Sequence, residues 1–258
     1  EGRLAPKVRG GDGLAGDPIL EARGLTKRFG SIAALDGVDL ELRRGESLAV
    51  FGPNGAGKTT LTRILTLTLR ATSGTIRIAG RDPRQDETRS RGILGLISHQ
   101  TFLYDDLSAR ENLVFFARMH GVRDARGRAG SLLASVGLEE RASDPVGTFS
   151  RGMQQRLALA RCLVHDPEIV FLDEPFTGLD PLAASLFREA LGRLRREGRT
   201  LLLVTHNLAE GLELSDRFAI LARGRIVAAG RSEETDREAL ERDHFLRAAR
   251  PAPPGAPA

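Results

Sequence analysis

The sequence predicts an α/β fold with a mixed β-sheet core, an antiparallel β subdomain and a helical subdomain. Three observations lead to this prediction. Residues 18–50 contain short apolar runs separated by Gly and Asp, residues 101–149 have mainly helical patterns, and from residue 150 helices alternate with apolar strands. Because short connections join these later elements, we expect parallel strands with helical crossovers.

The N-terminal part of the chain is rich in strand patterns. Residues 18–22 and 38–42 are short apolar runs, and residues 74–79 alternate isoleucine with arginine. Alternation of this kind predicts half-buried strands. Residues 47–51 (SLAVF) predict a short buried strand, and apolar spacing predicts a helix at 61–69.

The helical subdomain is predicted at about residues 101–149. Ser108 and Glu111 have capping-box spacing before an apolar helix, and Gly121 is expected to end that helix. A second helix is expected around 128–136, ending at Gly137. The later elements are predicted as helix 151–165, strand 169–172, helix 182–197, strand 200–204 and a hairpin of 217–221 and 225–228 that turns at Arg223 and Gly224.

Composition bounds the possible functions. The 258 residues are 41% hydrophobic and 28% charged, and no apolar run is long enough to cross a membrane. A net charge of +4 arises from scattered arginines, and aromatic content is 5%, so we expect no direct binding of nucleic acid. The single cysteine, Cys162, excludes an internal disulfide and predicts a packing role.

The stretch GPNGAGKTT, between the predicted strand 47–51 and helix 61–69, has the spacing of a nucleotide phosphate-binding loop. Glycines let backbone N–H groups converge on phosphate oxygens, while Lys58 reaches the β- and γ-phosphates and Thr59 ligates Mg²⁺. An accidental glycine-rich turn is disfavoured because the chain has only three lysines. The predicted loop residues are Gly52, Pro53, Asn54, Gly55, Ala56, Gly57, Lys58, Thr59 and Thr60.

Polar residues follow three predicted strands, where parallel sheets collect their ligands. Asp173 is expected to hold Mg²⁺, and Glu174 to polarise an attacking water; an acidic turn after a core strand is the alternative. His206 is expected to donate to a γ-phosphate oxygen, although a lone histidine is more often structural. Gln100 is expected to ligate Mg²⁺ or place a water.

The segment FSRGMQQR, at residues 149–156, opens a helix rich in Leu and Ala. Ser150 is a natural N-cap, and the start of that helix can present N–H groups to an anion. A cap with no other role is the alternative. Local spacing does not say which nucleotide this helix end meets.

In their order along the chain, these motifs resemble those of the ATP-binding subunits of ABC transporters, over roughly residues 18–231. GPNGAGKTT resembles the Walker A motif, Gln100 the Q-loop, FSRGMQQR the signature and IVFLDE the Walker B motif. Residues 177–180 resemble the D-loop, and His206 the switch histidine. Phe29 matches the aromatic residue that stacks on adenine, with core packing as its alternative. The resemblance implies a P-loop NTPase core.

The resemblance also implies a mechanism and partners. Two copies of the domain, expected as a homodimer, hold two ATP molecules head to tail. Each site combines Lys58, Thr59, Gln100, Asp173, Glu174 and His206 of one subunit with Ser150 and Gly152 of the other, and Asp180 links the two sites. The implied partner is an integral membrane permease contacted by residues 101–112, which places the chain peripherally on the cytoplasmic face of the cell membrane.

One departure from the family pattern concerns the signature, where Arg151 and Met153 stand in place of smaller or amide residues. Arg151 either adds positive charge near the nucleotide or points to solvent. The strings SRGMQQRLALAR and DEPFTGLD resemble the haem exporters of cytochrome c maturation, and related exporters of drugs, lipids or polysaccharides carry similar strings.

Two other functions fit parts of the sequence. A soluble ABC-type ATPase acting on nucleic acid or ribosomes is disfavoured, because such chains carry a second ABC domain or a coiled-coil insertion. A regulatory subunit that binds ATP without hydrolysis is disfavoured by the presence of Glu174 and His206. Residues 1–17 are predicted to be a flexible tail, and residues 232–258 a polar helix to 249 followed by a disordered Pro/Ala-rich tail.

Overall fold

The structure is a computed structural model that describes residues 17–98 and 100–240. The predictions for residues 1–16 and 241–258 lie outside the described residues. The chain folds as two compact units. Of the described residues, the first unit contains those from 17 to Arg43, Leu48–Asp82 and those from Val204 to Leu240, and the second contains Arg44–Ser47 and Pro83–Leu203.

The strands are β1 (Pro18–Phe29), β2 (Ile32–Arg43), β3 (Ser47–Phe51), β4 (Ser73–Ile78), β5 (Leu94–Ile97), β6 (Ile169–Asp173), β7 (Thr200–Thr205), β8 (Arg217–Ala222) and β9 (Arg225–Arg231). The helices are α1 (Lys58–Leu65), α2 (Glu87–Gly92), α3 (Ala109–Met119), α4 (Ala125–Ser135), α5 (Arg151–Cys162), α6 (Pro181–Arg196), α7 (Leu208–Glu213) and α8 (Arg237–Leu240). The α/β class with a mixed sheet, an antiparallel sheet and helices is therefore confirmed.

The first unit contains the predicted antiparallel sheet, with the strand order β2-β1-β4. Strand β1 is longer than the predicted strand 18–22. Its pairing with β2 shifts register between Ala22 and Leu25, where Gly24 has a φ of 58°. This irregularity interrupts the alternation of apolar residues, so periodicity alone ends the predicted strand too early.

A mixed group of strands completes the first unit. Strand β3 pairs in parallel with β8, and β8 pairs antiparallel with β9. Arg223 and Gly224 both have positive φ in the turn between β8 and β9, as in the tight hairpin that the sequence predicts. The rings of Phe51 and Phe218 pack 6.3 Å apart at their centroids in the core of these strands.

In the second unit, β5 and β6 pair in parallel, and β7 lies next to β6. All residues of β6 and β7 are buried, which fits strands covered on both faces. The predicted capping box at the start of α3 is present, because Ser108 and Glu111 each accept from the other's backbone N–H. Gly121 follows α3 with a φ of 71°.

Several helix boundaries differ from the predictions. Helix α1 runs from Lys58 to Leu65 and not over 61–69, since Leu67 has a φ of 60°, which is incompatible with a continuing helix. Helix α5 ends at Cys162 rather than at 165. Of the predicted helix 232–249, residues 232–236 are not helical, and α8 forms from Arg237 to Leu240. Helices α2 and α7 were not predicted. None of the helices in the described ranges is both long and apolar enough to span a membrane.

Candidate nucleotide site

The predicted phosphate loop lies between the end of β3 and the first turn of α1. Gly57, the residue before α1, has a φ of 104°. A Cβ atom at this position would lie 2.4 Å from the carbonyl oxygen of Ala34, which is a severe clash with backbone. Both the φ angle and the close approach require glycine here.

Helix α1 differs from the helices α2 to α7 at its N-terminus. Side chains cap those six helices, namely Asp86, Ser108, Asp124, Ser150, Asp180 and Asn207. In the described part of the chain no side chain caps α1, and its first turn contains no acidic residue. The N–H groups of this turn and the helix dipole therefore favour an anion such as phosphate.

The Lys58 side chain is buried and crosses the phosphate loop. Its ammonium group donates hydrogen bonds to the carbonyl oxygens of Gly52, at 2.6 Å, and Pro53, at 3.3 Å. Thr59 is exposed on the same helical turn. A cation held beside backbone N–H groups makes this end of α1 electropositive, as binding of phosphate groups requires.

The turn between β8 and β9 supports the phosphate loop. The Gly224 N–H donates to the carbonyl oxygen of Ala56 at 3.0 Å, and the Gly224 carbonyl accepts from the N–H of Asp36 at 2.8 Å. The Arg225 Nε donates to the Asp36 carboxylate at 2.8 Å. Sequence patterns identified this hairpin but did not connect it with the loop.

Two other predicted residues belong to the first unit. Phe29 is 50% exposed at the end of β1, and the Lys27 ammonium lies 5.1 Å from its ring centre, so core packing does not account for this aromatic residue. His206 is exposed directly after β7 and before α7. Helix α7 packs against the base of the loop, since a Cβ atom at Gly211 would lie 2.2 Å from the Phe51 ring.

The acidic pair lies in the second unit. Asp173 is buried at the end of β6, and Glu174 follows it with a φ of 51°. A positive φ is uncommon for a residue other than glycine, and such strain occurs preferentially at functional sites. The Gln155 side-chain amide donates to the carbonyl oxygen of Pro175 at 2.9 Å. A residue of α5 thus fixes the turn that carries Glu174.

Sequence reasoning gave no role to Gln155. It lies on the buried face of α5 together with Leu159 and Cys162, which follow at helical spacing. A polar amide on an apolar helix face is the signal that identifies such a residue, because a buried amide needs hydrogen-bond partners. Burial raises the pKa of the neighbouring Cys162 thiol to about 12, in accord with its predicted packing role.

The structure brings the predicted signature and D-loop residues together. The Ser150 hydroxyl accepts a hydrogen bond from the Met153 N–H at 3.3 Å and so caps α5. A Cβ atom at Gly152 would lie 2.4 Å from the Ala183 Cβ in α6. Asp180 caps α6 by accepting from the Ala183 N–H at 2.8 Å. The two helix starts are therefore in direct contact.

Arg151 is exposed and lies along the D-loop. Its Nε and Nη2 atoms are 3.4 and 3.5 Å from the Thr177 carbonyl oxygen. A Cβ atom at Gly178 would lie 3.0 Å from the Arg151 Nε. Arg151, which departs from the family's signature pattern, thus contacts the D-loop backbone. The sequence did not predict this contact.

Gln100 follows β5 and is exposed. The Ser98 hydroxyl donates to the Gln100 carbonyl oxygen at 2.9 Å, and the Gln100 N–H lies 3.3 Å from the same hydroxyl. This serine fixes the backbone at Gln100. The side-chain amide lies on the surface of the second unit.

Comparisons with known proteins identify the family. A family model described as ABC transporter matches residues 35–177. The chain is also 40% identical over 224 residues to the daunorubicin resistance ATP-binding protein DrrA3 of Streptomyces coeruleorubidus, a match that covers 86% of this chain and 71% of that protein. This chain belongs to the ABC transporter ATP-binding family.

Other similarities agree with that assignment. This ABC protein is 38% identical over 226 residues to the Nod factor export ATP-binding protein I of Ralstonia nicotianae, covering 87% of this chain and 70% of that one. A solved ATP-binding cassette in a dimeric post-hydrolysis state, bound to ADP and Pi, matches with a TM-score of 0.74 and 27% identity. That match covers 83% of this chain and 98% of the cassette. The chain is accordingly an ATPase.

Proposed function

We propose that this ABC ATPase drives the export of a drug-type compound through a separate membrane permease. The observation that carries the proposal is the similarity to a daunorubicin resistance ATP-binding protein, at 40% identity over most of both chains. On this proposal the chain lies at the cytoplasmic face of the cell membrane, where the permease holds it. The haem export predicted from the signature strings is the alternative, and these relatives do not support it.

The first unit binds the triphosphate. The uncapped start of α1 and the buried Lys58 ammonium provide donors for phosphate oxygens, and Phe29 offers an exposed ring for adenine. Lys58 exchanges its two loop carbonyl partners for phosphate oxygens when ATP binds. Charge-assisted hydrogen bonds to phosphate are stronger than bonds to neutral carbonyls.

The proposed Mg²⁺ ligands are Thr59, Gln100 and Asp173. Their hydroxyl, amide and carboxylate oxygens form the hard donor set that Mg²⁺ prefers, so the residues present fit this cation. When bound, Mg²⁺ neutralises charge on the phosphate oxygens. The exposed Thr59 and the buried Asp173 belong to the first turn of α1 and the end of β6.

Hydrolysis depends on Glu174 and His206. The positive φ of Glu174 orients a carboxylate immediately beyond β6, where it polarises the attacking water. His206 donates a hydrogen bond to a γ-phosphate oxygen from its exposed position after β7. Gln155 supports this chemistry indirectly, through its hydrogen bond to Pro175.

A second copy of the chain completes each site. We assign Ser150 and Gly152 of the twin to the γ-phosphate, and Asp180 to the link between the two sites. A dimeric ATP-binding cassette bound to ADP and Pi, similar in structure to this chain, supports the proposal of a homodimer. The contact between the starts of α5 and α6 keeps the signature and D-loop in a fixed relation within the second unit.

The permease contact is assigned to residues 101–112 and the adjoining face of α3. Phe102, Tyr104 and Phe115 are 55%, 49% and 40% exposed, and Met119 is 68% exposed. The Tyr104 and Phe115 rings pack edge to face with centroids 5.2 Å apart. Exposed apolar side chains that cluster in this way mark an interaction surface.

The substitution Glu174→Gln tests the proposed mechanism. We expect ATP turnover to fall about 100- to 10,000-fold, the contribution typical of a positioned general base, while ATP binding remains. Steady-state phosphate release and nucleotide binding measure the two effects. Wild-type turnover should rise more than linearly with protein concentration, because two copies form each site; turnover strictly proportional to concentration in a monomeric protein would overturn the dimer.

Deletion of the gene separates the two candidate cargoes. For drug-type export we expect increased sensitivity to at least one antibiotic, with normal levels of mature c-type cytochromes. Complementation by the wild type, but not by Glu174→Gln, controls for effects on neighbouring genes. Loss of mature c-type cytochromes with unchanged drug sensitivity would instead establish haem export.

A further inference from the structure

The C-terminal end of α5 carries a cation that the mechanism above does not use. The Arg161 Nη2 donates to the Leu96 carbonyl oxygen at 3.0 Å. The guanidinium carbon lies 5.8 Å from the ring centre of Phe102 and 5.2 Å from that of Phe116. The Arg161 Nε is enclosed, and no described group accepts a hydrogen bond from it.

Among the described residues, Arg161 is held by aromatic rings and a carbonyl oxygen rather than by an acid. Burial lowers the pKa of its guanidinium, but an arginine remains protonated at any physiological pH. A guanidinium group within about 6 Å of an aromatic ring centre is attracted to the face of that ring. The contacts with Phe102 and Phe116 therefore hold Arg161 in a defined place.

These contacts flank Gln100 on both sides. Leu96 precedes Gln100 by four residues, and Phe102 follows it by two. Phe102 has a φ of 53°, an uncommon value for a bulky residue, which persists only where the surroundings impose it. The Arg161 guanidinium group is one of the neighbours that hold Phe102 in this conformation.

Side chains from the end of α5 and the residues just after it also reach the edge of β5 that does not pair with β6. The His165 Nε2 lies 2.9 Å from the Leu94 carbonyl oxygen, so side chains from this region reach two carbonyl groups on the same side of the strand. A Cβ atom at Gly95 would lie 2.5 Å from the Cys162 Sγ, which shows how closely β5 and α5 approach. The strand that leads to Gln100 is thus fastened directly to α5.

We propose that Arg161 is a positioning residue that fixes Gln100 in place for Mg²⁺ and the attacking water. The inference rests on the proposed role of Gln100 in ATP hydrolysis. Helix α5 consequently has Ser150 at its start and the support for Gln100 at its end. A purely structural Arg161 would affect the free energy of unfolding without changing the Mg²⁺ dependence of the ATPase.

The test is the ATPase activity of the full-length chain as a function of Mg²⁺ concentration. For Arg161→Met we expect kcat to fall about 10- to 100-fold and the half-maximal Mg²⁺ concentration to rise, as for the loss of groups that orient a metal ligand. Arg161→Lys, which keeps a cation able to reach the rings and the Leu96 carbonyl, should restore most of the activity.

Gln100→Ala decides whether Arg161 acts through Gln100. In that background we expect Arg161→Met to have no further effect on kcat, because the group it positions is already absent. Two independent effects would instead multiply, and that result would overturn the proposal. If Arg161→Met does not fold, Phe102→Leu provides the same comparison, since that ring is 55% exposed and its loss should leave the fold intact.

Arg156→Met is the matched control. Arg156 lies on the same helix and also has an enclosed Nε, but its described hydrogen bonds go to the Val136 and Gly137 carbonyl oxygens, at 2.7 and 3.1 Å, and not to Leu96. We expect it to lower stability without shifting the Mg²⁺ dependence. An equal shift in Arg156→Met would refute the specific role of Arg161. ATP turnover that is unchanged in Glu174→Gln and in Gln100→Ala would instead refute the proposed mechanism on which this inference rests.

Discussion

Helices α1 and α5 both begin at a predicted phosphate contact, yet the two starts are built differently. Gly57 precedes α1 without any capping side chain, and the N–H groups of the first turn remain available to an anion. At α5 the Ser150 hydroxyl already accepts a hydrogen bond from the Met153 N–H. The N-terminus of α1 would bind phosphate through backbone groups alone, whereas Ser150 at the N-terminus of α5 combines a structural cap with a proposed ligand contact.

This difference shows how much can be concluded from each motif by itself. Only glycine fits at position 57, because the positive φ angle and the nearby Ala34 carbonyl both exclude a side chain. The Ser150 cap has a complete structural explanation within one chain. Its role toward ATP must therefore be tested by a substitution that keeps the cap.

The largest effect is expected for Gly57→Ala. A positive φ costs about 1–3 kcal/mol for a residue with a side chain, and the clash with Ala34 adds to this, so we expect loss of nucleotide binding together with reduced stability. Gly55→Ala is the control, because Gly55 has a φ of 79° but open space around its Cβ position. Nucleotide titrations and urea unfolding measure both; equal effects of the two substitutions would rule out the steric explanation.

A smaller effect separates the two roles of Ser150. Ser150→Ala should lower the free energy of unfolding by about 1 kcal/mol, and Ser150→Gly by only a few tenths, since glycine is a good cap. If the hydroxyl also contacts the twin's nucleotide, both substitutions should reduce ATPase activity equally. If ATPase activity instead decreases in parallel with stability, so that Ser150→Gly is close to wild type, Ser150 acts only as a helix cap.

The smallest expected effect is a pH dependence of stability, which arises from two histidines near the end of α5. The His120 and His165 rings stack with centroids 4.1 Å apart, and burial, with the nearby Arg161 charge, lowers the pKa of both. The Leu94 carbonyl and Asp166 oppose this shift at His165. Below about pH 6.5 the unfolded chain binds more protons than the folded chain, so stability should fall as pH decreases.

Urea unfolding at several pH values between 5 and 8 measures this dependence. His120→Gln should reduce the slope of the free energy of unfolding against pH below pH 6.5 and leave the slope unchanged above it, where the unfolded-state histidine is neutral. A wild-type stability that increases on acidification through this range would contradict the direction of the two shifts.

Much of the candidate site could be predicted because its motifs are local. The phosphate loop, the acidic pair and the capping box are each defined by residues close in sequence, and the structure places them on the expected elements. Helices α2 and α7 escaped prediction because each has six residues, too few for an apolar period to show.

Contacts between distant residues were beyond sequence reasoning. Nothing near Arg161 in the sequence indicates Phe102 or Leu96, which come within reach only when α5 packs beside β5. The same holds for Gln155 and Pro175, and for Arg151 and Thr177. These residues fix the motifs in place, and a single sequence offers no local pattern for such a role.

The support of the phosphate loop by Gly224 has a practical consequence for anyone trimming this protein. The family match ends at residue 177, but β8 borders β3, and the glycine turn beyond β8 bonds to Ala56. A fragment cut to the matched span would keep every residue of the phosphate loop but lose β8 and the Gly224 turn, which support the loop. The minimal ATP-binding piece must extend through the hairpin that ends at Arg231.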